Sequence, residues 1–183
     1  MQSSHSCAYN ASMSEHEQQQ KKMGVGMVIA AWVVALLLAS TFFDDLLEKQ
    51  HNPNVNLNQS STTAAREVVL QRNKYGHYVA SGEINRQEVV FMLDTGASDV
   101  SIPANVARRL KLQRGAEVIY QTANGPITAW RTVLDEVRLG GIRLRNVRAS
   151  INPAVNEEEI LLGMSFLKHL DFHQRGNTLT LQQ

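Results

Sequence analysis

The chain has 183 residues, 43% hydrophobic and 19% charged, with a formal net charge of +1 and a single cysteine, Cys7. This length suits one modest folded domain with appendages and excludes two large ones. Near-neutral, locally mixed charge gives no basis for nucleic-acid binding, and a lone thiol excludes both an intrachain disulfide framework and a cysteine-based zinc finger.

Residues 1–22 are polar and rich in Ser, Gln and Glu, without helical or strand periodicity, and read as a solvated tail. From Gly24 to Phe43 the chain carries 20 residues without a charge. At ~1.5 Å per residue that is ~30 Å of helix, the thickness of a hydrocarbon core, so residues 23–43 are expected to cross a membrane. A buried soluble helix of this length would carry charge on one face. A cleaved signal peptide fits less well, because the run exceeds the usual ~7–15-residue core, begins late and ends without an A-x-A site. Lys21 and Lys22 precede the run, while Asp44, Asp45 and Glu48 follow it. The positive-inside bias therefore puts the tail in the cytoplasm and everything after Phe43 on the far side.

Residues 44–65 hold much Asn, Gln, Ser and Thr with scattered Leu and Val, and read as a flexible linker spanning roughly 25 Å. From Arg66 the character changes to short apolar runs broken by turn residues, the pattern of an all-β domain over residues 66–183. Val68–Leu70, Tyr78–Ile84 and Glu88–Leu93 read as strands, the last nearly all apolar and so expected to be buried on both faces. Ile127–Leu139 and Ile142–Ile151 continue the series around a turn at Gly140-Gly141. Pro103–Leu110 and Met164–Leu170 read as short helices, and Leu170–His173 and Thr178–Leu181 as a closing strand pair.

The apolar strand runs directly into Asp94-Thr95-Gly96-Ala97-Ser98. A carboxylate at the end of such a strand is costly unless it is hydrogen-bonded or used chemically, although a turn aspartate capping its own backbone looks the same. Further motifs follow in order: a short helix with Ala107 and Leu110, the hairpin Tyr120-Gln121-Thr122-Ala123-Asn124-Gly125, and Leu161-Leu162-Gly163-Met164-Ser165-Phe166-Leu167. In this order and spacing the sequence resembles the retropepsin-like aspartic proteases, in particular the bacterial, single-lobed, membrane-anchored members. The match covers most of residues 66–183.

The resemblance implies a closed acid-protease barrel with one or two short helices, following the transmembrane helix. It implies catalysis by Asp94, with Thr95 bracing the loops of two subunits through its hydroxyl and Gly96 allowing close backbone approach. Ala97, Ser98, Thr122, Ala123, Asn124 and Gly125 would meet the substrate, the last four on a flap whose Asn124-Gly125 pair suits a type I′ turn. Leu161, Leu162 and Gly163 would support the active loop. Hydrolysis of a peptide bond needs one carboxylate to accept a proton from water and another to donate one; two carboxyls ~3 Å apart that share a proton do both.

Only one Asp-Thr-Gly is present, and Asp99, Asp135 and Asp171 lack its context. The expectation is therefore a homodimer that cuts extended polypeptide, with Asp94 of each copy facing its mate. The alternative is a catalytically silent, membrane-tethered peptide-binding or adaptor module of the same fold. No cofactor and no metal is expected, since His77, His169 and His173 lack ligand spacing. Ala97, where two-lobed acid proteases carry a hydroxyl, leaves the carboxylates one donor short and predicts a pH optimum between mildly acidic and neutral. Arg86 stands where family members often carry Gly, which questions the tightness of the turn at Asn85-Arg86. In a bacterial envelope the domain would be periplasmic, held at the inner membrane.

Overall fold

A computed structural model of the chain describes residues 27–43, 46–57, 66–122 and 125–183. The described residues fall into two compact units that divide between Leu47 and Glu48. The tail 1–22 and residues 58–65 of the expected linker lie outside the described residues.

The first unit holds the apolar part of helix α1, Met27–His51, which is long and apolar enough to cross a membrane. Its large side chains are exposed on every face: Met27, Trp32, Leu37 and Phe42 all keep more than 60% of their surface open. Apolar residues round the whole circumference distinguish this helix from the striped helices that cover soluble cores.

The second unit is built from ten strands and two short helices. In chain order these are β1 (Glu67–Gln71), β2 (Val79–Ile84), β3 (Gln87–Leu93), β4 (Val100–Pro103), α2 (Ala104–Arg109), β5 (Glu117–Thr122), β6 (Gly125–Leu139), β7 (Ile142–Asn152), β8 (Ile160–Leu162), α3 (Met164–Leu167), β9 (Asp171–Arg175) and β10 (Thr178–Gln182). The larger sheet runs β2-β3-β8-β4-β7-β6-β5, and a further β2–β6 pairing closes six of its strands into a ring. β3 with β8 and β4 with β7 are parallel pairs; the rest of the ring is antiparallel. Closure leaves β5 as the edge strand of this sheet and encloses a core that includes Phe91, Ile102, Leu134, Ile151, Ile160, Leu162 and Phe166. A second sheet, β1-β10-β9, brings the two ends of the domain together.

Three expectations are corrected. The stretch read as a linker is in part a built element: Asn52 and Asn54 are buried, and Leu57 packs on the core. Asn54 Nδ2 donates to the carbonyls of Gln71 and Val79 at 2.9 and 2.7 Å, and its Oδ1 accepts the Gln71 amide at 2.7 Å. Asparagine carries a donor and an acceptor on one amide, so this polar strap bonds to β1 and β2 as backbone would. Next, β3 is buried on one face only: Val89 and Phe91 are buried and Leu93 packs on the core, whereas Val90 and Met92 on the other face are half-exposed. Finally, Arg86 does not loosen its turn. Ile84 pairs with Gln87, so Asn85 and Arg86 alone make the β2–β3 turn, both left-handed with φ of 49° and 66°. The Asn85 amide and side-chain oxygen bond to the backbone of Glu136 at 2.9 and 3.0 Å and fix the turn against β6.

Candidate active site

The Asp94 motif begins where β3 ends, and β8 lies parallel beside it. Met92 pairs with Leu161 and Leu93 with Leu162, and the Asp94 amide then donates to the Leu162 carbonyl at 3.2 Å. Asp94 is half-exposed, and its Oδ1 accepts the Gly96 amide at 2.8 Å. The Ala97 amide returns to the Asp94 carbonyl at 3.3 Å, which closes the loop as a tight turn. A charge-assisted bond from a backbone N–H fixes the carboxylate without burying it, so the desolvation cost expected at a strand end does not arise. Thr95 and Ser98 are exposed, and Ala97 is half-buried.

The turn from β8 into α3 grips the other side of this loop. Met164 N–H donates to the Ala97 carbonyl at 2.8 Å and Ser165 N–H to the Ser98 carbonyl at 2.9 Å. Gly163 makes the approach possible: a Cβ there would stand 2.3 Å from the Asp99 carbonyl oxygen and 2.6 Å from that of Ala97. The buried Ser165 hydroxyl accepts the Val100 amide at 3.0 Å and donates to the Arg148 carbonyl at 2.7 Å. Ser165 thus holds β4 and β7 together at the loop exit. Among the residues expected to support the loop, Leu162 and Gly163 touch it, while half-buried Leu161 lies in the ladder.

The expected flap is the β5–β6 hairpin, paired from Glu117–Trp130 to Thr122–Gly125. Ala123 and Asn124 lie outside the described residues. Gly125, at φ 105°, pairs with Thr122 as the first residue of β6, so it belongs to the ladder rather than to the centre of a type I′ turn. Thr122 Oγ1 donates to the Gly125 carbonyl at 2.7 Å. Tyr120, on β5, donates its hydroxyl to Asp99 Oδ2 at 2.8 Å, and Arg148 approaches Asp99 Oδ1 at 3.4 Å. Burial, then the hydrogen bond to and charge of Asp99, push the Tyr120 pKa above its ordinary 10.0.

Asp94 and Thr95 also line a cavity of about 370 Å³ with Tyr78, Leu93, Phe172 and His173. The Tyr78 hydroxyl is buried without a hydrogen-bond partner among the described residues, and Phe172 on β9 is 52% exposed. β9 pairs only with β10 among the described residues. Sequence reasoning included Tyr120 and Ser165 in its motifs without giving either a role, and missed Tyr78 and His173 as residues of this region. Only Ser165 offered a local signal, a small polar residue two positions after a glycine at a helix start.

Comparison with known proteins bears on the family and the fold. Residues 80–169 match the family described as "gag-polyprotein putative aspartyl protease". An uncharacterized protein from the cobV 5′ region of a Sinorhizobium species is 32% identical over 112 residues, 60% of this chain and 48% of that protein. An uncharacterized protein of Rickettsia prowazekii is 30% identical over 110 residues, 58% of this chain and 47% of that protein. The chain spans about half the length of these curated relatives. The crystal structure of a retropepsin-like aspartic protease from Rickettsia conorii superposes with a TM-score of 0.53 at 30% identity, covering 63% of this chain and 89% of that one. The chain belongs to the retropepsin-like aspartic protease family.

Proposed function

We propose that the protein is a membrane-anchored aspartic endopeptidase whose active site forms when two copies bring their Asp94 carboxyls together. The observation that carries this reading is the loop itself. A single Asp94 carboxylate per chain is set in a rigid turn, half-exposed, with one oxygen held by the Gly96 amide. Across a two-fold axis the paired carboxyls share one proton because both cannot ionise at ~3 Å. The ionised member takes a proton from water as that water attacks the scissile carbonyl carbon, and its protonated mate gives its proton to the carbonyl oxygen. Collapse of the tetrahedral intermediate returns a proton to the leaving amine. Thr95 and Gly96 position the paired loops, and the hairpin carrying Thr122–Gly125 closes over an extended peptide, which binds by strand addition beside Ala97 and Ser98.

Three features support assembly from two copies. Among the described residues, the edge of β9 that pairs with no strand, the exposed Phe172 and the Tyr78 hydroxyl without a hydrogen-bond partner all lie on the side of the domain that carries Asp94 and Thr95. Residues 23–43 serve as the anchor, which raises the effective concentration of copies in one membrane. The charge asymmetry about the anchor orients residues 1–22 to the cytoplasm and the protease domain outward, periplasmic in a bacterial inner membrane.

The test is cleavage of a peptide library by the full-length protein in detergent micelles, repeated with Asp94→Asn. Cleavage by the wild type that disappears in the variant is expected. Cleavage that survives the substitution eliminates the mechanism, and a stable dimer that cuts nothing points to a peptide-binding adaptor.

A further inference from the structure

A second cavity, about 650 Å³, opens at the root of the β5–β6 hairpin, between the segment joining α2 to β5 and the strands β6 and β7. Its wall carries four cations, Lys111, Arg114, Arg131 and Arg148, against two carboxylates, Asp99 and Asp135. Asp99 is already engaged by the Tyr120 hydroxyl and by Arg148. Arg114 lies over the Trp130 ring at 4.1 Å. Among the described residues neither Lys111 nor Arg131 has an ion-pair partner within 4.0 Å. The cavity therefore presents cations from separate segments facing a common space, with Asp135 the one lining carboxylate not engaged among the described residues.

We propose that this cavity binds a small oxyanion-bearing ligand, a molecule with a phosphate or pyrophosphate group, and that the bound anion braces the root of the hairpin. Guanidinium groups match the oxygens of such anions with paired donors, and cations spread over several segments bind a multivalent anion better than chloride. The volume accommodates more than one phosphate. Bracing follows from where the cations sit. The Gly115 amide donates to the Arg131 carbonyl at 2.8 Å and the Arg131 amide to the Ala116 carbonyl at 2.9 Å, so Arg131 joins the two stems of the hairpin. The positive charge of Arg131 also acts on the Tyr120 hydroxyl, which links the cavity to the bond between β5 and Asp99. An anion shared by Lys111, Arg114 and Arg131 would tie the α2–β5 segment to β6.

The bracing rests on the proposed role of the hairpin, whereas the binding does not, and both are measurable without a proteolysis assay. Inorganic pyrophosphate is titrated into the full-length protein in detergent micelles, in a Trp32→Phe background that leaves Trp130 as the only tryptophan. A saturable change in Trp130 emission is expected, absent with sodium chloride at matched ionic strength. Half-saturation should weaken at least tenfold in Arg131→Gln and several-fold in Lys111→Gln, and hold in Arg175→Gln, a cation on β9 outside the cavity. Hydrogen exchange at Glu117–Thr122 should slow at saturating pyrophosphate. A response that does not saturate, that chloride reproduces, or that persists in Arg131→Gln overturns the site; saturable binding with unchanged exchange in β5 overturns the bracing. Loss of proteolysis with these results intact would refute the protease reading and leave the anion site standing.

Discussion

The Tyr120 hydroxyl donates to Asp99 Oδ2 at 2.8 Å, which ties the edge strand of the hairpin to the segment that leaves the Asp94 loop. Tyr120→Phe keeps the ring and removes the bond. A half-buried bond to a carboxylate is worth about 1 kcal/mol, so kcat/KM should fall about fivefold, with KM carrying more of the change than kcat. Steady-state kinetics on one peptide checks this, and Asp99→Asn should act in the same direction.

The same pair gives a pH prediction. The fold raises the Tyr120 pKa above 10.0, so the native state holds this proton more tightly than the unfolded chain. The stabilisation is complete below about pH 10 and is lost as pH rises through the higher native value. Urea midpoints of wild type and Tyr120→Phe, compared from pH 8 upward, should show wild type losing stability relative to the variant only above about pH 10.

Gly163 has no room for a side chain, since its neighbours are the backbone carbonyls of Ala97 and Asp99. Gly163→Ala must displace the loop or the β8–α3 turn. A loss of about 3 kcal/mol is expected in chemical unfolding, together with loss of cleavage, because the displaced backbone carries Asp94.

Asn54→Ala removes three hydrogen bonds from a buried amide and leaves the Gln71 and Val79 groups without those partners. About 3 kcal/mol of stability should be lost. If the strap were an idle tether, the substitution would leave the unfolding midpoint unchanged.

Arg86 holds a left-handed conformation that suits glycine better. Arg86→Gly relieves that strain but adds freedom to the unfolded chain, for a net gain of about 0.5 kcal/mol. A lower unfolding midpoint would mean that the arginine side chain contributes contacts of its own.

Long strands with clear boundaries were legible in the sequence, as was the placement of Asp94 at the end of β3. The strands β4 and β8 were not, because four and three residues are too few for periodicity and both are fixed by partners distant in sequence. The half-exposed face of β3 was missed for a related reason: composition shows that Val90 and Met92 are apolar, not what covers them. The strap failed differently. Its asparagines look like linker composition, yet both are buried: Asn54 bonds to backbone left open by β1 and β2, and Asn52 donates to the Ser81 hydroxyl on β2. The motif residues of the loop were readable one by one, whereas Tyr120, Ser165 and Tyr78 join the site only through tertiary contact.

The shared active site is tested most directly by mixing. Wild-type and Asp94→Asn protein are combined in equal amounts at fixed total concentration, allowed to exchange subunits in micelles, and assayed for peptide cleavage. If each site needs an Asp94 from both copies, about a quarter of the activity of an all-wild-type sample should remain, since only wild-type pairs are competent. If about half remains, each chain works alone and the account is contradicted.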